Sequence, residues 1–97
     1  MRFEWDDDKQ EENLRKHGLD FADAEAVFQY LRFTWLDTRE DYGEDRWYSL
    51  GMLQGRVVVL VYTERPPDVI RVISLRKATR REQTQYDQFL QNRLGSR

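Results

Sequence analysis

Apolar runs of strand length alternate with short turns through the second half of the chain. The runs are rich in Val, Ile, Leu and aromatic residues, and Gly or Pro bounds each of them. They predict three strands, at 46–53, 56–65 and 68–77. Because Pro66-Pro67 forces a tight connection, we expect the last two strands to form an antiparallel hairpin.

The length of this turn decides which side chains share a face of the hairpin, since successive residues of a strand point to opposite sides. A turn of two residues places one set on the first face: Val57, Val59, Val61, Thr63, Ile70, Val72, Ser74 and Arg76. The second face then carries Val58, Leu60, Tyr62, Arg71, Ile73 and Leu75. Both faces are apolar in the middle, so we expect both to be covered.

The first half of the chain shows helical spacing. Asp6 is placed to N-cap a helix that ends at Gly18, a residue typical of helix C-termini. A second helix opens at Asp20 and extends to Leu31, with apolar residues on one face. The segments around these helices predict a strand at 2–5, a strand at 33–37 and a polar loop at 38–45.

A closing helix is predicted from about Arg80 to Leu94. Thr79 as N-cap and Glu82 three residues later form the pattern of a capping box. The apolar stripe of this helix consists of Tyr86, Phe89 and Leu90. The complete layout predicts one α+β domain, residues 1–97, with two N-terminal helices, a mainly antiparallel sheet and a C-terminal helix.

The amino-acid composition excludes several classes of functional site. The 97 residues include no Cys and one His, which argues against disulfides, His/Cys metal clusters and a cysteine nucleophile. No P-loop, dinucleotide fingerprint or nucleophile elbow is present. No apolar run approaches the roughly 18 residues of a membrane span, and the acidic N-terminus does not resemble a signal peptide. We therefore expect a cytoplasmic protein without membrane association, metal or cofactor.

Charge is divided unequally along the chain. Residues 1–50 contain 14 acidic and 7 basic side chains, a net charge of −7, whereas residues 51–97 contain 4 acidic and 9 basic ones, a net charge of +5. Such asymmetry fits two partners of opposite charge, although it also fits two halves that simply fold against each other.

The segment RKATRREQTQY, residues 76–86, concentrates the positive charge where a strand leads into a helix N-terminus. Its basic residues are Arg76, Lys77, Arg80 and Arg81, with Arg71 upstream. A helix N-terminus favours phosphate, so a nucleic-acid contact is one interpretation. With Glu82 and Tyr86 on the same helical face, the set also has the groups for metal-free RNA cleavage, in which arginine stabilises a pentacoordinate phosphate and a base takes the 2′-hydroxyl proton.

The same residues also have purely structural interpretations. Glu82 is the capping-box partner of Thr79, and Tyr86 fits a core anchor equally well. The arginines of the first helical turn are solvated in this view, although cations there oppose the helix dipole, which favours an anionic ligand. His17 fits the C-terminal end of a helix, and Arg46 neutralises its acidic neighbours.

Three separated blocks resemble the BrnT toxins of bacterial type II toxin–antitoxin pairs. They are FEWDDDKQEENLRKHGLDFADAEAVF (3–28), EDRWYSLG (44–51) and VVLVYTERPPDVIRVISLRKATRRE (58–82), and the similarity ends at Tyr86. Leu75, where a small residue is usual, and the Pro-Pro turn depart from the pattern. The last ten residues carry no family signal.

The resemblance implies a RelE-like fold and an endoribonuclease that inhibits translation by cutting RNA without metal or cofactor. The implied partner is a BrnA-like antitoxin, a small DNA-binding protein that neutralises the toxin in a hetero-oligomer. Operator DNA would be contacted only through that complex.

The resemblance also assigns residues to the RNA site. Candidate catalytic residues are Arg65, Arg76, Arg80, Glu82 and Tyr86, with Arg76 and Arg80 stabilising transition-state charge and Glu82 or Tyr86 transferring the proton. Candidate RNA-binding residues are Lys16, His17, Arg46, Arg71, Lys77 and Arg81.

Two other functions remain open on the sequence. One is a catalytically inactive module that binds the antitoxin and acts only in operon autoregulation. The other is a plain DNA- or RNA-binding domain, which the overall net charge of −2 disfavours. The acidic first half is itself a hypothesis for the surface that meets a basic antitoxin, with Asp7, Glu11 and Glu12 as the residues to reverse.

Overall fold

The computed structural model describes residues 1–94, which form a five-stranded sheet with helices on both faces. The strands are β1 (Arg2–Glu4), β2 (Phe33–Leu36), β3 (Trp47–Leu53), β4 (Arg56–Arg65) and β5 (Val69–Lys77), in the spatial order β1-β5-β4-β3-β2. β1 is parallel to β5, and the other pairs are antiparallel. The helices are α1 (Asp7–His17), α2 (Ala24–Phe28) and α3 (Arg80–Arg93). The α+β class is confirmed.

Within residues 1–94, no helix is both long enough and apolar enough to cross a membrane.

The predicted second helix is wrong in length. Its first turn is a 3₁₀ helix, Phe21–Asp23, and α2 ends at Phe28 instead of Leu31. The Arg32 guanidinium explains the early end, because it donates a hydrogen bond to the Phe28 carbonyl at 3.1 Å and lies 3.9 Å from the Phe28 ring centroid. Because the Arg32 side chain already donates to this carbonyl, the helix does not have to continue to supply a backbone donor.

Helix α1 begins and ends where the sequence predicts. The Asp6 carboxylate accepts hydrogen bonds from the backbone N–H groups of Asp8 and Lys9. At the other end Gly18 adopts a left-handed conformation, with φ of 68°, which glycine tolerates without a steric penalty.

Asn13, in the middle of α1, binds the edge of β5. Strand β1 pairs with β5 only as far as Arg71, which leaves the later backbone groups of that edge unpaired by a strand. The Asn13 amide donates to the Leu75 carbonyl at 2.9 Å and accepts from the Leu75 N–H at 3.2 Å, and it also donates to the Leu19 carbonyl at 3.1 Å. A single buried side chain therefore replaces part of a neighbouring strand.

Apolar clusters lie on both faces of the sheet, as predicted. The α1–α2 face carries the larger cluster, which includes Phe21, Val27, Leu60, Tyr62, Val72 and Leu75. The α3 face carries Leu50, Val59, Val61 and Tyr86. Partly buried rings of Phe33, Trp35, Tyr48 and Phe89 extend the second cluster.

The predicted face assignment of the β4–β5 hairpin is wrong near its turn. Arg65 pairs with Val69, so the turn contains three residues and every side chain next to it changes face. Ile70 and Val72 consequently pack on the α1–α2 face, and Arg71, opposite Thr63, moves to the α3 face.

A β-bulge then reverses the change. The register shifts where Val61 and Tyr62 pair with Ser74 and Val72, and the extra residue, Ile73, packs with the α3-face cluster. Beyond the bulge, Ser74, Leu75 and Arg76 lie on their predicted faces. The turn and the bulge together bring Arg71 and Arg76 to one face of the sheet.

Candidate functional site

The junction between β5 and α3 is built by a capping box, as the sequence predicts. The Thr79 hydroxyl accepts a hydrogen bond from the Glu82 N–H at 3.2 Å, and the Glu82 carboxylate accepts one from the Thr79 N–H at 2.9 Å. These two contacts fix the first turn of α3 beside the end of the strand.

Glu82 also forms a two-pronged ion pair with Arg76. Both Arg76 guanidinium nitrogens donate to Glu82 oxygens at 2.9 Å, and one of them also donates to the Lys77 carbonyl at 3.2 Å. The Arg76 and Glu82 side chains are only 29% and 18% exposed. Partial burial and paired geometry make this contact stronger than an ordinary surface ion pair.

The ion pair shifts the pKa of both partners. Hydrogen bonds to Glu82 raise the pKa of Arg76, and the nearby Tyr48 contributes to the same rise. Hydrogen bonds from Arg76 lower the pKa of Glu82, against the opposing effect of burial. The carboxylate is therefore ionised at neutral pH and is a weak base.

Three more cations lie close to this pair in the sequence. Lys77, Arg80 and Arg81 are exposed, and in the described part of the chain none of them has an ion-pair partner. Arg80 and Arg81 lie in the first turn of α3, where their charge adds to that of the helix dipole, whereas Lys77 ends β5 opposite Val58 of the α1–α2 face. We call Arg76, Lys77, Arg80, Arg81 and Glu82 the basic corner. Its unpaired positive charge suits an anionic ligand.

Tyr48 and Arg39 join the basic corner, although the sequence did not single them out. The Arg39 guanidinium donates to the Tyr48 hydroxyl and lies 4.8 Å from its ring centroid. Arg39 is in turn held by the buried Asp37 carboxylate through contacts of 2.9 and 3.1 Å, which lower the pKa of Asp37. Tyr48 therefore stands between two guanidinium groups, those of Arg39 and Arg76.

Arg71 and Arg46 have other contacts. Arg71 donates to Glu4 at 2.9 Å on the α3 face, upstream of Arg76 along β5. The Arg46 guanidinium lies 4.0 Å from the ring centroid of Tyr42, and its buried Nε atom has no hydrogen-bond partner.

Arg65 is separated from the basic corner. It lies at the far end of β4, where it pairs with Val69 and contacts Glu44 at 3.4 Å. Six residues of β5 lie between Val69 and Arg76, which places these two roughly 20 Å apart. The structure therefore does not bring Arg65 together with Arg76 and Glu82.

Lys16 and His17 lie at the end of α1 beside the edge of β5. With Lys9, Asn13 and Ser74 they line a shallow cleft of about 210 Å³. Lys16 also contacts Glu12 at 3.4 Å, one turn earlier in the helix. Because Ser74 is two residues before Arg76 on the same face, the cleft borders the surface that leads to the basic corner.

Tyr86 is part of the core. Its side chain is almost fully buried, and its hydroxyl donates to the Leu31 carbonyl at 2.9 Å. Burial raises the pKa of this phenol. These contacts support the structural interpretation of Tyr86.

No group of three or more His, Cys, Asp or Glu side chains is arranged to hold a metal ion in residues 1–94.

The Arg76–Glu82 contact predicts a specific pH dependence of stability. The folded-state pKa of Glu82 is lowered, so the contribution of this carboxylate is fully present above its unfolded-state pKa, about 4.3, and is lost as pH falls through the folded value. We expect the stability advantage of the native chain over Glu82→Gln to be constant near neutral pH and to shrink below about pH 4.

Urea unfolding of both proteins at a series of pH values between 7 and 3 measures this difference. Glu25→Gln, at an exposed position of α2, is the matched control and should change the free energy of unfolding little at any pH. A Glu82→Gln difference that stays constant down to pH 3 would show that the ion pair does not stabilise the fold.

Both a family sequence model and a solved structure are similar to this chain. The sequence model of a family described as the ribonuclease toxin, BrnT, of type II toxin–antitoxin systems matches residues 5–82. The fold matches the crystal structure of the Brucella abortus ribonuclease toxin BrnT with a TM-score of 0.63 and 30% sequence identity, over 82% of this chain and 99% of that chain. A search of curated proteins found no match. The segment matched by the family includes the whole basic corner.

Proposed function

Because the chain belongs to the BrnT family of ribonuclease toxins of type II toxin–antitoxin systems, we propose that it is a cytoplasmic endoribonuclease that cuts RNA at the basic corner and thereby inhibits translation. The observation that carries this proposal is the partly buried Arg76–Glu82 pair at the start of α3, with the exposed and unpaired Arg80 and Arg81 in the same helical turn. A site of this kind attracts a phosphodiester and holds an arginine in a fixed position beside it.

The proposed reaction needs only groups of the chain, the RNA and solvent water. The 2′-hydroxyl attacks the adjacent phosphorus as a base removes its proton, and the bond to the 5′ oxygen of the next nucleotide breaks as that oxygen takes a proton from water. The products are a 2′,3′-cyclic phosphate and a 5′-hydroxyl. Arg76 and Arg80 would stabilise the extra negative charge of the pentacoordinate phosphate, and this electrostatic effect is the largest that the site offers.

Glu82 is the candidate proton acceptor, and it also positions Arg76. Its lowered pKa keeps it ionised but weakens it as a base, because the best general bases have a pKa near the working pH. We therefore propose that arginine electrostatics supply more of the rate enhancement than proton transfer does. Tyr86 and Arg65 are left outside the reacting group, since one is buried in the core and the other lies at the far end of β4.

The other candidate residues would bind the rest of the RNA. Phosphate contacts of this kind are independent of sequence and weaken as salt concentration rises. The residues proposed for them are Lys16, His17, Arg46, Arg71, Lys77 and Arg81.

A protein antitoxin follows from the toxin–antitoxin family, and we propose that it is BrnA-like and contacts operator DNA for the complex. The exposed carboxylates of Asp7, Glu11 and Glu12 on α1 are the proposed surface for a basic segment of this partner. Reversing these three charges should weaken the complex. Unchanged complex formation on mixing the variant with the antitoxin would reject this surface.

Analysis of the RNA ends tests the proposed reaction. Purified protein incubated with RNA in excess EDTA should still cleave it and should leave 5′-hydroxyl and 2′,3′-cyclic phosphate ends. Addition of the antitoxin should stop cleavage. Loss of activity in EDTA together with 5′-phosphate ends would contradict the proposal, because these results indicate a metal-activated water as nucleophile.

The alternative function is a catalytically inactive module that binds the antitoxin and acts in operon autoregulation. It predicts that the folded chain forms the complex but leaves RNA intact under all of these conditions.

A further inference from the structure

Four aromatic rings form a continuous row along the junction between α3 and the edge strand β2. Phe89 of α3 stacks on Phe33 with ring centroids 5.0 Å apart and planes at 16°. Phe33 is 5.2 Å from Trp35, and Trp35 is 5.7 Å from Tyr48. We call these four rings the aromatic row. All four are partly exposed, in contrast to Phe21 on the opposite face, which is fully buried.

Cationic groups lie at both ends of the aromatic row. Arg93 is 5.8 Å from the Phe89 ring centroid, and Arg39 is 4.8 Å from that of Tyr48. The Tyr48 end is also the end nearer Arg76, because Tyr48 pairs with Val61 and Arg76 pairs with Val59 of the same strand and face; Tyr48 contributes to the raised pKa of Arg76. The row therefore connects an outlying arginine to the proposed catalytic arginine.

The surroundings of the aromatic row suit an anionic ligand with hydrogen-bonding edges. A cavity of about 400 Å³ beside Phe33 and Phe89 is otherwise lined by Gln85, Gln88, Asn92 and Arg93. Its lining contains amides and a guanidinium but no carboxylate. Amides can donate to and accept from base edges, and partly exposed rings accept the flat faces of unpaired bases.

We propose that the aromatic row binds single-stranded RNA by stacking unpaired bases, and that it guides the strand into the basic corner. This inference rests on the proposed function, which it extends from the scissile phosphate to the flanking nucleotides. Trp35, in the middle of the row, is the principal stacking residue. Stacking tolerates every base, so the row binds RNA of many sequences and sets a length requirement instead of a sequence requirement.

Charge at the Phe33–Phe89 end favours RNA over a basic protein segment. The proposed antitoxin-binding carboxylates lie on α1, which covers the other face of the sheet, whereas the cavity beside Phe33 and Phe89 is lined by amides and the Arg93 guanidinium. At the Tyr48 end the carboxylates of Asp37 and Glu82 are already paired with Arg39 and Arg76. A nucleic acid fits both the flat rings and the positive ends.

Tryptophan fluorescence tests the proposal directly, because bases that stack on an indole quench its emission. The probe is a 2′-O-methyl oligoribonucleotide of eight nucleotides, which lacks the attacking hydroxyl and so stays intact. Trp5 and Trp47 pack against the α1–α2 cluster and serve as matched controls. We expect quenching in the native chain, in Trp5→Phe and in Trp47→Phe, and none in Trp35→Phe, which keeps a ring for the fold.

Affinity gives a second readout. Trp35→Leu should weaken binding of the eight-nucleotide probe about tenfold, and Trp47→Leu, checked for folding by circular dichroism, should not. A three-nucleotide probe should bind more weakly than the longer one to the native chain and should lose less affinity in Trp35→Leu.

The outcomes separate this proposal from the proposed function. If the native chain cleaves RNA but the probe still quenches Trp35→Phe, stacking on Trp35 is wrong and the proposed ribonuclease activity is unaffected. If the antitoxin but not the RNA probe quenches Trp35, the aromatic row binds protein and the proposal that it binds RNA is wrong. Absence of both probe binding and cleavage would overturn both proposals.

Discussion

Replacing Arg76 with alanine is expected to reduce the rate of RNA cleavage by about 10²–10³-fold, the usual effect of removing one preorganised donor to a developing charge. Its guanidinium is held in place by two hydrogen bonds to Glu82 and is partly shielded from water. Because its position is fixed before RNA binds, it loses little entropy in the transition state, and its removal affects the rate more than the binding.

Three further variants sharpen this prediction. Arg76→Lys keeps the charge but loses the planar fork, and it should recover only part of the rate. Glu82→Gln should reduce the rate less than Arg76→Ala, since Glu82 is a weak base. Arg56→Ala removes a cation from the start of β4 and is the matched control, with near-native activity expected. Cleavage of a fluorescently labelled RNA measures all four, and a native rate in folded Arg76→Ala would place the reaction elsewhere.

Replacing Asn13 with leucine is expected to lower the free energy of unfolding by about 3–5 kcal/mol. The change leaves both backbone groups of Leu75 and the Leu19 carbonyl without their buried partner. Since small domains are stable by only about 5–15 kcal/mol, this loss is a large fraction of the total.

Asn92→Leu is the matched control for this stability prediction. Asn92 is the other asparagine of the chain, and it lies exposed on α3. The same substitution there should change the free energy of unfolding by no more than about 0.5 kcal/mol. Urea unfolding followed by circular dichroism measures both variants, and equal effects at the two positions would show that the Asn13 contacts to β5 contribute nothing.

Local sequence signals predicted the elements of the fold well, because their causes lie within a few residues. The Asp6 and Thr79 caps and the Gly18 stop are contacts within one helical turn, and they fixed the ends of α1 and the start of α3. The end of α2 was missed because it depends on the Arg32 side chain reaching back to Phe28. A run of apolar residues at helical spacing does not reveal such a contact.

Strand register was predictable only in part, because a change of one residue in a turn reverses the faces. Pro66-Pro67 indicated a turn correctly but not its length of three residues. The bulge at Ile73 then restored the predicted faces of Ser74 and Arg76, although no glycine or proline in β5 marks it. The placement of Arg76 was therefore right, and that of Arg71 was wrong.

The residues of the candidate site were likewise predictable from the sequence only in part. Arg76 and Glu82 are six residues apart on either side of a recognisable cap, so their proximity could be inferred from the sequence. Tyr48 and Arg39 reach the site only through the pairing of β3 with β4 and through the buried Asp37, neither of which leaves a local pattern. Alternation along β3, combined with a known register, is the signal that would have found Tyr48.

Growth and RNA integrity after induced expression in bacterial cells test the central claim most directly. The native chain alone should arrest growth and leave cut cellular RNA. Arg76→Ala at an equal soluble level should do neither, and co-expression of the antitoxin should relieve the arrest. Unimpaired growth and intact RNA in cells that contain folded native protein would contradict the ribonuclease assignment of this chain and favour an inactive partner-binding module.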